Sequence, residues 1–435
     1  MNNMQQFLRD SIKTLIVERQ NKELPSLYFR DDSNINLNNM YNVLAIIWPR
    51  RAWKTSFMYQ LIHQLINNWI PKNDILFIDF ENYRLLELQT KDVWELLTIF
   101  YELYGHYPKY IFFDEIQKLE NRWNVIRTFH DDWYNIIISW SSSKLLMNEI
   151  NTELRWRYTQ KLMLPFSFKE IVAQNNIETK NIEHNISQRS KIINLFDKYI
   201  EFWGFPLVVK EEDEEKKREL LEWYYETIFY RDILERHNIQ DKKAMEYLMK
   251  YSLNMYSSIL SITKFEQYLK TQWINISKAT LLKYEDYLKE AFFKITCQKL
   301  TQAPKWEIIN PNKNYLIDPW FIKLWNNYSK NGWKILENIV AIELFRNSKN
   351  FYYIEDKKEC DFVIKDKINS NFLSAIQVTR TLDIHNEKRE IEWLEIALEK
   401  CKLKEWFILT YNEFDEIEKD WKKIHVMPVW KRILL

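Results

Sequence analysis

Glycine is nearly missing. Three occur in 435 residues, Gly105, Gly204 and Gly332, where ordinary usage of roughly 7% would give about 30. A chain of this length needs many backbone positions at positive φ, in turns and helix caps, and glycine is their default occupant. Three cannot serve. Asparagine covers some of these positions, but not those where the backbone must approach a ligand. Cysteine is scarce as well. Cys297, Cys360 and Cys401 stand far apart, with no metal-ligand spacing and no disulfide framework, which suits a reducing cytosol. Excess charge is absent: 62 Lys+Arg face 61 Asp+Glu. No global pull toward nucleic acid follows, and only a local basic face would supply one. Long apolar runs are absent too. No segment reaches membrane-spanning length, and "MNNMQQFLRDSIKTLIVERQ" carries charges throughout rather than a signal-peptide core. The expectation is a cytoplasmic protein without membrane contact.

What is present is a length of 435 residues, enough for two or three domains at about 150 residues each, and an apolar fraction of 46%, enough for a sizeable core. Tryptophan, normally uncommon, occurs 19 times. In the first third, "YNVLAII" (41–47) reads as a buried parallel strand. "KTSFMYQLIHQLINN" (54–68) follows with Phe57, Leu61 and Leu65 at helical spacing. Between them lies Trp48-Pro49-Arg50-Arg51-Ala52-Trp53-Lys54-Thr55, followed by Ser56. The phosphate-loop pattern is G-x-x-x-x-G-K-[ST]. The spacing, the Lys-Thr pair and the strand–loop–helix context fit it; the two glycines do not appear. In such a loop Lys54 reaches the β- and γ-phosphates and Thr55 ligates Mg²⁺. Backbone N–H groups from residue 48 to Ser56 hold the phosphates.

A chance Lys-Thr at a helix start would give the same eight residues, so a second element matters. "NDILFIDF" (73–80) is another strand-like run, and "KYIFFDEIQKL" (109–119) ends its apolar stretch on Asp114-Glu115. That is the layout of a Walker B strand: Asp114 supports the metal and Glu115 activates the attacking water. A strand ending in a solvated acidic turn is the competing reading, and the phosphate-loop layout upstream favours Walker B. "YNIIISWSSSKLL" (134–146) carries Ser139 and Ser141 at its end, polar groups suited to the γ-phosphate side of the site.

Residues 41–172, taken in order, resemble a family of prokaryotic AAA-type ATPases that carry a C-terminal domain of unknown function. The resemblance rests on "WPRRAWKT" against a GPRRxGKT loop, "FFDEIQ", "SWSSS" against GSSS, "LRWR" against L-x-GR, and "LPFSFKE". It implies ATP and Mg²⁺ as cofactors. It also implies that Arg157 senses or stabilises phosphate charge, in cis or from a neighbouring subunit, so an oligomer is compatible with this reading. An arginine with only structural contacts is the alternative.

The departures from the family pattern are uniform. Trp48, Trp53, Trp140, Trp156, Trp203, Trp320 and Trp333 stand at family glycines, while neighbouring residues are intact. A decaying ATPase would lose Lys54, Asp114 or Glu115 as readily, and to varied residues. One repeated exchange points instead to one codon, UGA, read as glycine in some lineages and translated here as tryptophan. Trp430, in "PVWKRILL", is expected to be genuine. Taken literally, Trp53 sets a large ring where a phosphate should sit. Strain of about 1–2 kcal/mol per left-handed position adds to the block. The literal chain is then a pseudo-ATPase, an adaptor for protein or DNA.

Beyond the ATPase, "KEEDEEKKRELLEW" (210–223) reads as a linker entering a helix that continues through 224–241. Residues 242–296 read as helical with short turns. A helix near 263–270, a turn through Trp273 and a second helix capped by Ser277 give a winged-helix-like rhythm. Lys278, Lys283 and Tyr284 are candidates to contact DNA phosphates; ordinary packing residues are the alternative. In 301–435, a helix over 334–347 and the runs "FYYIEDKKECDFVIKD" and "FLSAIQVT" place Glu337, Asp361 and Gln377 as in restriction-endonuclease-like folds. Gln377 is neutral and Thr379 stands at the lysine position of that pattern, so a vestigial site or a plain polar network is expected over an ATP-fuelled nuclease. The expected fold class is α/β: a P-loop ATPase parallel sheet flanked by helices over 1–208, a helical linker and winged-helix-like module over 209–300, and a small α/β restriction-endonuclease-like domain over 301–435. The expected partners are ATP and, through the C-terminal domains, DNA or another protein. Codon inspection tests the central anomaly: UGA is expected at positions 48, 53, 140 and 156, and UGG there ends the recoding reading.

Overall fold

The computed structural model describes all residues except 1–2, 26–29, 32–34, 38–39, 48–53, 141–153, 155–156, 181, 184, 203, 302–309, 326–331, 357, 367–370, 402, 404 and 420–421; of Lys54 it describes the backbone alone. The chain divides into two compact units, Met1–Leu164 and Pro165–Leu435. The expectations for Trp48, Pro49, Arg50, Arg51, Ala52, Trp53, Ser141, Trp156 and Trp203 therefore lie outside the described residues.

The first unit is built on a parallel five-stranded sheet of order β2-β3-β4-β1-β5. Its strands are β1 (Val43–Ile47), β2 (Ile75–Asp79), β3 (Tyr110–Asp114), β4 (Asn135–Trp140) and β5 (Tyr158–Leu162). Each neighbouring pair is parallel. The near-continuous apolar runs of β1 and β3 follow from this, because a strand covered on both faces has no solvent side; every residue of both is buried. The helices are α1 (Asn3–Asn21), α2 (Lys54–Asn67), α3 (Val93–Tyr104) and α4 (Arg122–Asp131). Phe57, Met58, Leu61 and Leu65 of α2, at helical spacing, pack on Leu44 and Ile46 of β1 and on Phe77 and Phe112. The chain leaves β1, crosses to the far edge at β2 and returns strand by strand to β4, then passes to β5 on the other flank of β1. The strand order therefore reverses at β1, and in open α/β sheets the ligand crevice lies beyond the strand carboxyl ends at that point.

The second unit opens with α5 (Phe168–Gln174), α6 (Ile186–Phe202), α7 (Pro206–Lys210) and α8 (Glu214–Thr227). Ser167 caps α5 in a reciprocal box with Glu170. The expected helix through 224–241 continues as a π-helical stretch, Ile228–Glu235. Next come α9 (Lys242–Asn254), β6 (Ser258–Leu260), α10 (Ile262–Thr271), α11 (Lys278–Glu290), β7 (Lys294–Lys299) and β8 (Asn312–Leu316). Ser277 caps α11 through its bond from the Thr280 N–H, 3.1 Å. Lys278 and Lys283 are exposed. Tyr284 is 7% exposed, which corrects its candidacy as a phosphate contact: one turn of α11 cannot point it both to the core and to solvent.

The last segment runs α12 (Gly332–Arg346), β9 (Asn350–Glu355), β10 (Glu359–Lys365), β11 (Phe372–Val378), α13 (Glu387–Cys401), β12 (Glu405–Thr410), β13 (Asp415–Lys419), β14 (Lys422–Pro428) and α14 (Val429–Leu434). β9, β10 and β11 form an antiparallel meander, and α13 carries the chain to β12, parallel to β11. Strands of both segments share one nine-stranded sheet, β13-β14-β12-β11-β10-β9-β7-β8-β6. Gly204 meets a steric demand rather than a conformational one: a Cβ there would stand 2.1 Å from the Phe166 carbonyl oxygen.

Candidate functional site

At the carboxyl end of β3, Asp114 is 2% exposed. Its two carboxylate oxygens are taken by different elements. The Thr55 hydroxyl, in the first turn of α2, donates to Oδ2 at 2.8 Å, and the Ser139 hydroxyl, near the end of β4, donates to Oδ1. Parallel pairing makes this convergence unavoidable. Phe113 is in register with Ile138 and Ile46 with Ser139, so the three strand ends finish at one level. Ser139 also accepts from the Glu115 N–H at 3.0 Å. One buried hydroxyl therefore ties both acidic residues together. Glu115 sits in the left-handed region, φ 52°, a conformation costly for a non-glycine residue and concentrated at functional sites. Its carboxylate accepts from the Gln117 amide. Lys54, Thr55 and Ser56 open α2, whose first-turn N–H groups have no partner within the helix and suit an anion.

Two residues escaped the sequence reading. Asp79 ends β2 in register with Asp114; the matching runs "ILFID" and "YIFFD" carried that signal. Gln117, two residues past Glu115, closes the "FFDEIQ" motif but was given no role there. Trp140 is buried and stacked on Trp123, ring centroids 5.4 Å apart, with the Arg122 guanidinium over it. Arg157 is not brought to this cluster. It precedes β5, opposite the amino end of β1, and pairs with Asp131 at 2.8 Å. The length of a five-residue strand, about 16 Å, separates it from the carboxyl ends. A cis contact with a phosphate bound there is thereby excluded.

The oxygen donors of Thr55 and Asp114 fit a hard cation such as Mg²⁺, which is held by one or two carboxylates plus ligand oxygens rather than by a full protein cage.

In the second unit Glu337 and Asp361 do converge, but on a lysine. Lys313 Nζ, on β8, lies 3.0 Å from Glu337 Oε1 and 3.0 Å from Asp361 Oδ1, and also pairs with Glu359. Tyr315 donates to the same Glu337 oxygen at 2.7 Å. Asp361 Oδ2 accepts from the Val378 N–H at 3.0 Å, and Gln377 accepts from the Asp361 N–H at 3.3 Å. An ammonium thus fills the space a divalent ion would need, and the residues do not fit a metal. Lys313 was missed because one lysine in "PNKNYLID" looks like a solvated strand residue; it is 2% exposed. Desolvation opposes its charge, but the surrounding carboxylates outweigh it and hold its pKa well above the ordinary value. Burial pushes Glu337 up to about 8. Its Oε2 has no hydrogen-bond partner in the structure, and one ammonium cannot balance three carboxylates.

Among known proteins, an AAA domain model matches residues 40–172 and a domain of unknown function (DUF8612) matches residues 193–322. The chain is 33% identical over 413 residues to the uncharacterized protein MJ1544 of Methanocaldococcus jannaschii, covering 92% of this chain and 90% of that protein. An uncharacterized protein of Haemophilus influenzae is 26% identical over 363 residues, 80% of this chain and 84% of that one. Among solved structures, the Walker-type ATPase PABY2304 of Pyrococcus abyssi aligns with a TM-score of 0.40 at 15% identity, covering 69% of this chain and 98% of that one. The last likeness adds nothing to the topology above. The described residues include no helix long and apolar enough to cross a membrane.

The lysine-centred cluster makes stability depend on pH. Glu337 is raised from 4.5 to about 8, so between those values the folded state holds a proton that the unfolded state releases. Stability of the wild-type chain is expected to fall as pH rises from about 4.5 to 8, and Glu337→Gln to flatten that slope. Lys313→Met, which leaves buried carboxylates uncompensated, is expected to cost about 3–5 kcal/mol at pH 7 by denaturant titration.

Proposed function

Since the chain belongs to the same family as the uncharacterized protein MJ1544 of Methanocaldococcus jannaschii, and its residues 40–172 form an AAA domain on a P-loop ATPase fold, we propose that it binds ATP with Mg²⁺ and hydrolyses it. The observation that carries this reading is the carboxylate of Asp114 between Thr55 and Ser139. Metal-ligand hydroxyl, Walker B carboxylate and a polar strand end meet where the sheet reverses its order.

The loop pattern, with the placement of Thr55, Asp114, Glu115 and Ser139, supports the following roles. Backbone N–H groups of residues 48–56, with the Lys54 ammonium, hold the phosphates. Thr55 and Asp114 would hold the metal, which would supply charge neutralisation for the phosphates. Glu115 orients and deprotonates the attacking water. Ser139 is a positioning residue, because it binds the Asp114 carboxylate and the Glu115 N–H together. Arg157, about one strand length away, acts on nucleotide only across a subunit boundary, as an arginine supplied in trans. The loop works with glycine, not tryptophan, at positions 48 and 53, through recoded UGA. The location is the cytoplasm, where Cys297, Cys360 and Cys401 stay as thiols.

Hydrolysis drives a change that the C-terminal segments deliver to DNA or to another protein. Support for a winged-helix-like module within 209–300 and just beyond comes from its order, helix, strand, two helices, two strands, with exposed Lys278 and Lys283 on α11. The helix–three strands–helix–strand order over 332–410 supports a restriction-endonuclease-like domain, and Lys313 argues against cleavage by it. The test uses the full chain with Trp48→Gly and Trp53→Gly. Glu115→Gln in that background is expected to lower ATP turnover by about 10²- to 10⁴-fold while leaving nucleotide binding in place. Unchanged turnover would remove Glu115 from its role.

A further inference from the structure

Three tryptophans outside the family motifs share one geometry. Trp69, Trp133 and Trp273 have φ of 64°, 69° and 61°. Each is the second residue past the end of a helix: α2, α4 and α10. Each makes the same pair of bonds. The Trp69 N–H donates to the Ile66 carbonyl at 3.0 Å and the Ile70 N–H to Leu65 at 3.0 Å. Trp133 donates to His130 at 3.0 Å and Tyr134 to Phe129 at 3.1 Å; Trp273 donates to Lys270 at 3.2 Å and Ile274 to Leu269 at 3.0 Å. These are helix C-caps that demand a left-handed residue, and glycine is the usual one because it has no Cβ to clash with the neighbouring carbonyl. Gly105 takes the left-handed conformation directly after α3, φ 76°.

Packing does not offset the strain. The three indoles are 92%, 90% and 95% exposed, so the largest apolar side chain lies in water at each. Phe292 supplies the contrast. It has φ 53° in the same cap geometry after α11, but it is 5% exposed, so burial of its ring stabilises what its backbone costs. The remaining left-handed positions are taken mainly by Asn121, Asn176, Asn238, Ser257 and Ser348, small polar residues that tolerate the conformation.

From this geometry we infer that positions 69, 133 and 273 are glycine in the protein as its own cell makes it, and that the exposed indoles there are no docking surface. The inference rests on the same exchange proposed for the phosphate loop, but reaches it from backbone conformation, with no appeal to family motifs or to ATP. Trp140 and Trp320, both buried, give no such signal, because a ring can find space where a backbone cannot change sign.

Peptide mass spectrometry of the chain from its own organism decides the identities. Glycine at 69, 133 and 273 is expected, and tryptophan at any of them overturns the inference there. A chain with glycine at all three that binds no nucleotide would sink the ATPase reading alone. The physical argument has its own readout in the tryptophan-containing full chain. Trp69→Gly, Trp133→Gly and Trp273→Gly are each expected to raise the folded-to-unfolded ratio about fivefold. The matching alanine variants should gain less, since alanine keeps the Cβ, and Trp430→Gly, which empties a buried site, should lose stability. Glycine no better than tryptophan, or alanine equal to glycine, would contradict the backbone argument.

Discussion

The carboxylate of Asp114 is the contact on which the first unit's chemistry depends. It joins β3 to the start of α2 through Thr55 and to the end of β4 through Ser139. Parallel pairing brings those three points to one level, and apolar strands buried on both faces hold them there. The same serine reaches the Glu115 backbone. A shift of β4 by one residue would turn Ser139 to the opposite face and release both acidic residues at once.

Backbone sign is the second constraint. A chain with three glycines must meet its left-handed positions with other residues. Where it does so with asparagine, serine or a buried phenylalanine, local chemistry or packing accounts for the choice. The exposed tryptophans at helix ends have neither, and the loop at 48–53 is read with tryptophan at its two glycine positions. Family pattern and backbone geometry meet different residues and arrive at the same exchange.

Much of this was legible in the sequence. The α/β fold class followed from apolar runs alternating with helical periodicity, and α2 begins at Lys54 as the motif required. Asp114, Glu115 and Ser139 stood out because they lie at or beside the ends of apolar strands. Other features were hidden for physical reasons. The distance of Arg157 depends on strand direction, which a local motif does not carry. The burial of Tyr284 depends on which side of α11 meets the core. Lys313 looked like a surface residue because its three carboxylate partners come from distant segments. Of the cap tryptophans only Trp273 drew notice, as a turn residue, because positive φ leaves no periodic trace.

The central claim is an ATP site whose loop needs glycine at 48 and 53. Equilibrium ATP·Mg²⁺ binding tests it most directly, comparing the full chain carrying Trp48→Gly and Trp53→Gly with the unsubstituted chain and with Lys54→Ala in the glycine background. The account predicts saturable binding by the first and its loss in the other two. Equal binding by the tryptophan and glycine chains, or by the Lys54→Ala variant, would contradict it.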